Sequence, residues 1–290
     1  MTPARVRALW RRFEPVHALV YFAPEAREHY GAAGLRGGWM GYFASRSAPM
    51  GPVPAEVVTA TFYVFHPAMV ARAIPDAWRL SSPERALEAR YAVAGSALRR
   101  LLGDAAGSDG VAEAAVLGRR AAEACSLAGR PLHAGHAALP WPEEPHLALW
   151  HACTLLREHR FDGHVASLVA EEVDGCSANI TLSATGLLTH EMLRDFRGWP
   201  EREWAAAADR LRERGWLDGA GALTESGTAA RRRLEDNTDR LAAGPWEALG
   251  AAGCDRFEAL MTDVCDRVVD GGGLPFPNPM GLTAEAAAAR

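Results

Sequence analysis

In residues 214–249, RGWLDGAGALTESGTAARRRLEDNTDRLAAGPWEAL, two short apolar runs stand on either side of the turn Asp218-Gly219-Ala220-Gly221, and Thr224 then opens a long closing helix. The segment before them, Glu201 to Arg214, is alanine-rich and reads as a helix. The expected local order is helix, short β-hairpin, helix, with the hairpin standing out as a single wing. Elsewhere good helix formers dominate and alternating β-branched stretches are scarce, so the chain as a whole is expected to be mainly α.

At 290 residues the chain is long for one domain, which predicts two domains or one core built from two similar halves. The Gly/Ser/Asp-rich stretch Asp104 to Gly110 is the expected boundary. It divides an N-terminal helical half (1–110) from a connecting helix and Pro-rich loop (111–146), a second half (147–246) and a C-terminal helix and tail (247–290). All 31 basic residues are arginine, and against 36 acids the net charge is −5. The five cysteines form no CxxC pair and are odd in number, as in a reduced protein with buried thiols. The basic and then apolar N-terminus is interrupted by Glu14, Pro15 and His17, and no stretch reaches the ~20 apolar residues of a membrane helix. A cytoplasmic protein without membrane contact is expected.

Residues 147–169, LALWHACTLLREHRFDGHVASLV, carry polar groups that an ordinary core helix would not choose. Phe161-Asp162-Gly163 reads as a helix break, with Asp162 as N-cap of a second helix starting near His164. Glu158, His159, Asp162 and His164 would then meet at a corner. A neutral histidine beside a carboxylate is a competent general acid or base, which makes these four the candidate catalytic residues. The plainer reading is a helix connection with a solvated charged face.

Further groups fall on the first half. Glu14, His17 and Tyr21 form a helical stripe; Glu-x-x-His can supply metal ligands, but that chemistry needs a second such motif with further carboxylates, so no metal or cofactor is expected. Tyr42 and Arg46 lie four apart on one helix face and could look into the same space. Ser81-Ser82-Pro83-Glu84 caps a long amphipathic helix. Residues 129–145, GRPLHAGHAALPWPEEP, read as a proline-rich loop carrying surface histidines His133 and His136.

Sliding the second half on the first by about 124 residues places Met50-Gly51 on Asp174-Gly175 and Ala60-Thr61 on Ala184-Thr185. Two long helices, opening at Leu80-Ser81-Ser82 and Leu223-Thr224-Glu225, come into rough register. Two winged-helix-like halves related by internal duplication are expected, the first having lost its wing between Ala77 and Leu80.

The segment Trp199 to Trp246 resembles the second half of a MarR-type regulator, in which GWPEREWAAAADRLRERGWL corresponds to helix and strand, DGAG to the wing tip and LTESGTAARRRLEDNTDRL to the closing dimerisation helix. The longer pattern YFASRSAPMGPVP with LPWPEEPHLALWHACTLLREHRFDGHVASL is similar to an actinobacterial family described as helix-turn-helix proteins, from which Phe161 departs by standing at a usual glycine. The resemblance implies a fold and a small-molecule pocket between dimerisation helices and DNA-binding lobes. Tyr42, Arg46, Tyr63, Trp150 and His17 are the expected ligand-binding residues.

Between Gly186 and Trp246 ten arginines face eleven acids, a local sum of −1, and the wing tip has no arginine. Phosphate binding needs a surplus of positive charge, so DNA is a disfavoured partner. The leading reading is a small-molecule-binding protein, a cofactor-independent enzyme using His/Asp acid–base chemistry on an aromatic or acidic metabolite. A ligand-responsive DNA-binding regulator and a metal- or haem-binding helical protein are the alternatives. Fold alone does not choose between binding and turnover.

Overall fold

Most helix starts fall where the sequence supplies a capping oxygen or a proline. In the computed structural model, which describes residues 1–284, the first half runs α1 (Pro3–Ala18), α2 (Ala26–Ala32), α3 (Gly37–Ser47), α4 (Ala55–Phe62), α5 (Pro67–Ala71), α6 (Asp76–Leu80) and α7 (Pro83–Leu102). Next come α8 (Asp109–Glu123), α9 (Pro131–Ala137) and α10 (Pro145–Ala170). The chain closes with α11 (Gly175–Ser183), α12 (His190–Arg197), α13 (Glu201–Glu213), α14 (Glu225–Leu241), α15 (Gly244–Leu249) and α16 (Ala251–Asp270). Thr2, Ser82, Ser108, Asp174, Thr189 and Thr224 each accept a backbone N–H at the start of their helix. The capped start expected at Ser81-Ser82-Pro83-Glu84 is therefore found at Ser82.

The expected corner at Phe161-Asp162-Gly163 is not there, because α10 runs unbroken for 26 residues. A glycine inside a helix costs roughly 1 kcal/mol relative to alanine. Close packing requires it here: a Cβ on Gly163 would meet Arg130 Nη1 at 2.7 Å and Leu241 Cβ at 3.2 Å. Asp162 does cap a helix, but another one, its carboxylate accepting the backbone N–H of His133 at 2.9 Å in the first turn of α9. The segment expected as a proline-rich loop with surface histidines accordingly contains α9, and His133 and His136 are buried.

Two hydrophobic cores share α10. The larger joins α1, α3, α7 and α8 to α15 and α16 through Leu9, Phe13, Phe43, Val93, Trp150, Trp246 and Phe257. The smaller gathers Leu168, Ile180, Leu193, Trp204, Leu211, Trp216 and Leu234 from the end of α10 and from α11–α14. Leu149 to Leu156 belong to the first core and Leu168 to the second, so α10 is the rod on which both are built.

The β-hairpin wing is reduced among the described residues to one antiparallel bridge, Leu217 with Leu223. The apolar runs are too short for a ladder, and the Asp218 carboxylate takes over, accepting the N–H groups of Ala220 and Ala222 at 2.9 Å. The two cores meet where Gly175 touches the backbone of Tyr63. An added Cβ would lie 2.0 Å from the Tyr63 carbonyl oxygen. Gly175→Ala is therefore expected to cost about 1–3 kcal/mol of stability, as overpacking does, and urea denaturation of the variant checks it.

Candidate functional site

A cleft opens where α3, α10 and α12 approach one another, and its chemistry begins with a helical stripe on α3. Trp39, Tyr42, Phe43 and Arg46 follow each other at three- and four-residue spacing, so they share one face. Tyr42 is ringed by Tyr21, Trp39, Phe43 and Phe65 at centroid distances of 5.0–5.7 Å. Phe196 of α12 closes on Trp39 edge-to-face at 4.9 Å. Tyr21, Trp39, Tyr42, Phe65 and Phe196 line a cavity of about 370 Å³, and Phe161, Arg157, Arg197, Pro279 and Met280 complete its wall.

Arg46, 1 % exposed, meets Glu158, 0 % exposed, through two parallel hydrogen bonds of 2.9 and 2.8 Å, and it donates a third to the Tyr42 hydroxyl at 2.8 Å. Arg157 donates to the same carboxylate at 2.8 Å and reaches Glu14 at 3.5 Å. Burial alone would push the Glu158 carboxyl up, but Arg157 and Arg46 overcome it and hold it well below the ordinary carboxylate range. Glu158 is thus a fixed anion, and its neighbours are stacked on rings. Arg46 lies 4.4 Å from the Phe62 centroid and 4.6 Å from Phe161, with Arg157 at 4.7 Å from Phe161.

Arg197, at the end of α12, faces the same cavity with its guanidinium 4.4 Å from the Phe65 centroid. It donates through Nη2 to the Pro279 carbonyl at 3.0 Å, while its Nε is buried without a hydrogen-bond partner among the described residues. Burial pushes its guanidinium down to about 10. Next door, a smaller cavity of about 170 Å³ shares Val64, Arg157, Phe161, Arg197, Pro279 and Met280 and is lined further by His164.

Of the residues singled out in the sequence, Tyr42 and Arg46 line the cleft, and Glu158 stands buried behind them as the counter-charge of Arg46. His164 faces the adjoining cavity, its Nδ1 2.9 Å from Thr238 Oγ1 and its imidazole driven down to about 4 by burial. His159 and Asp162 lie on the α9 side of α10 instead. His159 packs edge-to-face on His133 and is lowered by burial to about 3, whereas burial raises Asp162 to about 6. The four expected acid–base groups therefore do not meet, because an unbroken helix points them in different directions. Trp150 is a core residue whose indole N–H reaches the His17 carbonyl at 3.2 Å, and Tyr63 donates to the Val173 carbonyl at 2.8 Å, tying the two cores together. His17 stands one layer behind the cavity, against Tyr21.

Trp39, Phe65, Phe196, Arg157 and Arg197 were missed by the sequence reading. The α3 stripe was a usable signal for Trp39. Arg157 looks like part of a solvated face until its carboxylate partner is seen to be buried, and Phe196-Arg197 looks like a linker.

The smaller core carries a second candidate surface. α12 ends at Gly198, whose left-handed backbone (φ 73°) turns the chain through Trp199-Pro200 into α13, a helix-turn-helix connection. Three of the four arginines of α13 and its C-terminal end are engaged from within: Arg210 with Asp174 at 2.6 Å, Arg212 with Asp209 at 2.7 Å, and Arg214 with the carbonyls of Glu171 and Glu172 at 3.0 Å. The exposed start of α13 presents Glu201, Arg202, Ala205, Ala206 and Asp209.

The chain belongs to a helix-turn-helix family, whose model matches residues 6–275 and so embraces both cores. No curated protein and no solved structure matches the chain. Among the described residues no helix is long and apolar enough to cross a membrane.

Proposed function

We propose that this helix-turn-helix protein binds an aromatic or acidic small molecule in the cleft between its helical body and its helix-turn-helix lobe. One observation carries the reading: three guanidiniums, of Arg46, Arg157 and Arg197, line one aromatic cavity in which Arg197 Nε has no acceptor among the described residues. Glu158 and Glu14 answer Arg46 and Arg157, whereas Arg197 meets no carboxylate among the described residues, only the Pro279 carbonyl and the Tyr42 hydroxyl. A carboxylate of the ligand supplies the missing charge-assisted bond, and the ring stacks supply apolar contact.

The test is calorimetric titration with 2-naphthoate and with neutral 2-naphthalenemethanol. The wild-type protein is expected to prefer the acid, and Arg197→Met to lose more than tenfold in affinity for it, about 1.4 kcal/mol or more, with the alcohol unaffected. Equal binding of both probes by both proteins refutes the reading.

The second reading, a ligand-responsive DNA-binding regulator like the MarR-type proteins, is favoured by the family match and by the α11–α13 unit. Against tight binding stand the internal ion pairs of α13 and the acid-balanced surface around it. Affinity for duplex DNA at near-physiological salt is expected to be weaker than micromolar and without sequence preference, in or below the ~10⁻⁴–10⁻⁶ M range of non-specific binding. A nanomolar, sequence-specific gel shift that disappears on replacing Arg210 and Arg214 promotes the regulator over the binder. The order α4–α7, three short helices followed by a long one without a wing, parallels α11–α14, which is what duplication of a winged-helix ancestor would leave.

A further inference from the structure

Tyr21 stands in the wall shared by the aromatic cavity and a third one, of about 600 Å³, that extends toward Pro24 and Tyr30. Its hydroxyl oxygen lies 2.8 Å from His17 Nε2 and 3.2 Å from Arg90 Nη2. Arg90 is completely buried in α7, and its Nε and Nη1 have no hydrogen-bond partner among the described residues. Instead of a carboxylate it has the rings of Tyr21 and Trp150, at 5.2 and 5.4 Å. A buried cation left without a counter-charge is costly, so a fold that keeps one gains where a negative charge develops beside it. The group in hydrogen-bond contact that can develop one is the phenol of Tyr21.

His17 fits the same purpose. Its Nδ1 lies 3.0 Å from Thr154 Oγ1, and burial keeps the ring neutral. We assign the tautomer in which the threonine hydroxyl donates to Nδ1 and the proton sits on Nε2. Two donors, His17 Nε2–H and Arg90 Nη2–H, then converge on the phenol oxygen of a residue that lines the cavity, and neither of them takes up its own O–H. This is the arrangement of an oxyanion hole, with the enzyme's own phenolate as the oxyanion.

We propose that Tyr21 is the proton donor of a catalytic site in this cavity, acting on an aromatic acid that carries a carbonyl group. The proposal rests on the cavity's reading as an aromatic-acid site. In the step, the Tyr21 O–H bond breaks as an O–H bond forms on the substrate carbonyl oxygen. A proton leaves the adjacent carbon to water, giving the enol and a phenolate held by Arg90 and His17. The phenolate recovers its proton from solvent, and no electron changes hands. His17 and Arg90 act through Tyr21 and are positioning residues.

The probe is phenylpyruvate in deuterated water, with loss of its C3 protons followed by NMR and its binding followed by calorimetry. The wild-type protein is expected to accelerate exchange over buffer. Tyr21→Phe is expected to lose about a hundredfold of that acceleration with affinity changed less than threefold, since general acid catalysis contributes ~10²–10⁴. Substituting 3-fluorotyrosine, a stronger acid, for all five tyrosines keeps the fold's shape and is expected to raise the exchange rate. Binding without acceleration, undiminished exchange in Tyr21→Phe, or a rate indifferent to fluorination overturns the proposal alone. Failure of phenylpyruvate and 2-naphthoate to bind at all brings down the cavity reading, and this proposal with it.

Discussion

Glu158→Gln is expected to cost about 3–5 kcal/mol of folding stability, the range for breaking a buried ion pair from one side. The carboxylate accepts from Arg46 twice and from Arg157 once, all at 2.8–2.9 Å, and it is fully buried. The amide keeps the volume but offers one acceptor and no charge, so Arg46 is stranded among aromatic rings and Arg157 keeps only Glu14 at 3.5 Å. Adding Arg46→Met to Glu158→Gln removes the stranded cation and is expected to recover part of the loss. An anionic ligand should stabilise the single variant more than the wild type, because it also replaces the lost charge. Urea denaturation of the wild type and both variants, with and without 2-naphthoate, is the measurement. A single variant within ~0.5 kcal/mol of wild type would show that the cluster is not held by charge.

What the sequence made legible follows distance along the chain. Capping residues act on the next three positions, so Ser82 and Thr224 announced their helices, and Pro200 marked the start of α13, whereas α12 before Gly198 was not read as a helix. Tyr42 and Arg46 were placed correctly in one space because an i, i+4 pair shares a face whatever packs against it. Asp162 was read as a cap for its own chain continuation, whereas its acceptor is used by α9, 29 residues earlier in the chain. Only the tertiary contact with Arg130 and Leu241 explains why a glycine sits inside α10. Arg197 joins Pro279, 82 residues away, and no local pattern marks such a pair. The wing failed for a different reason: a turn with Asp at its head can satisfy its N–H groups from the side chain, and little strand is then needed. The site was thus half visible: its α3 wall came from helical periodicity, while the arginines that give it charge are set by contacts between helices distant in sequence.

Mild acid should unfold the protein cooperatively, in an unusually narrow range between pH 6.5 and 4. Burial lowers His136 and His159 to about 3 and His151 and His164 to about 4, and holds His17 well below its ordinary value. Each of these has a folded-state pKa depressed below the unfolded 6.5, so the unfolded chain binds protons that the native state refuses. Their stabilisation is complete above pH 6.5 and is lost as pH falls toward the folded values. Asp162 works in the opposite sense, since its folded value of about 6 exceeds the unfolded 3.8 and the native state keeps a proton through that window. With these five imidazoles gaining a proton on unfolding and Asp162 losing one, the net uptake from these groups is about four; His133 and His146, also lowered by burial, add to it, and Asp239, raised by burial, subtracts. At ~1.4 kcal/mol per proton per pH unit the slope is about 5 kcal/mol per unit, comparable to the ~5–15 kcal/mol that a native domain possesses. Glu158 adds to the acid side only below its unfolded value of 4.5. Far-ultraviolet circular dichroism against pH reads the transition, and urea midpoints at pH 7, 6 and 5 give the proton count. His151→Gln, which removes one titrating ring and with it the Tyr91 contact at 2.8 Å, is expected to shallow the slope by about one proton. A helical signal that stays level from pH 7 down to pH 4 would mean that the buried imidazoles accept protons in place, by opening to water without unfolding.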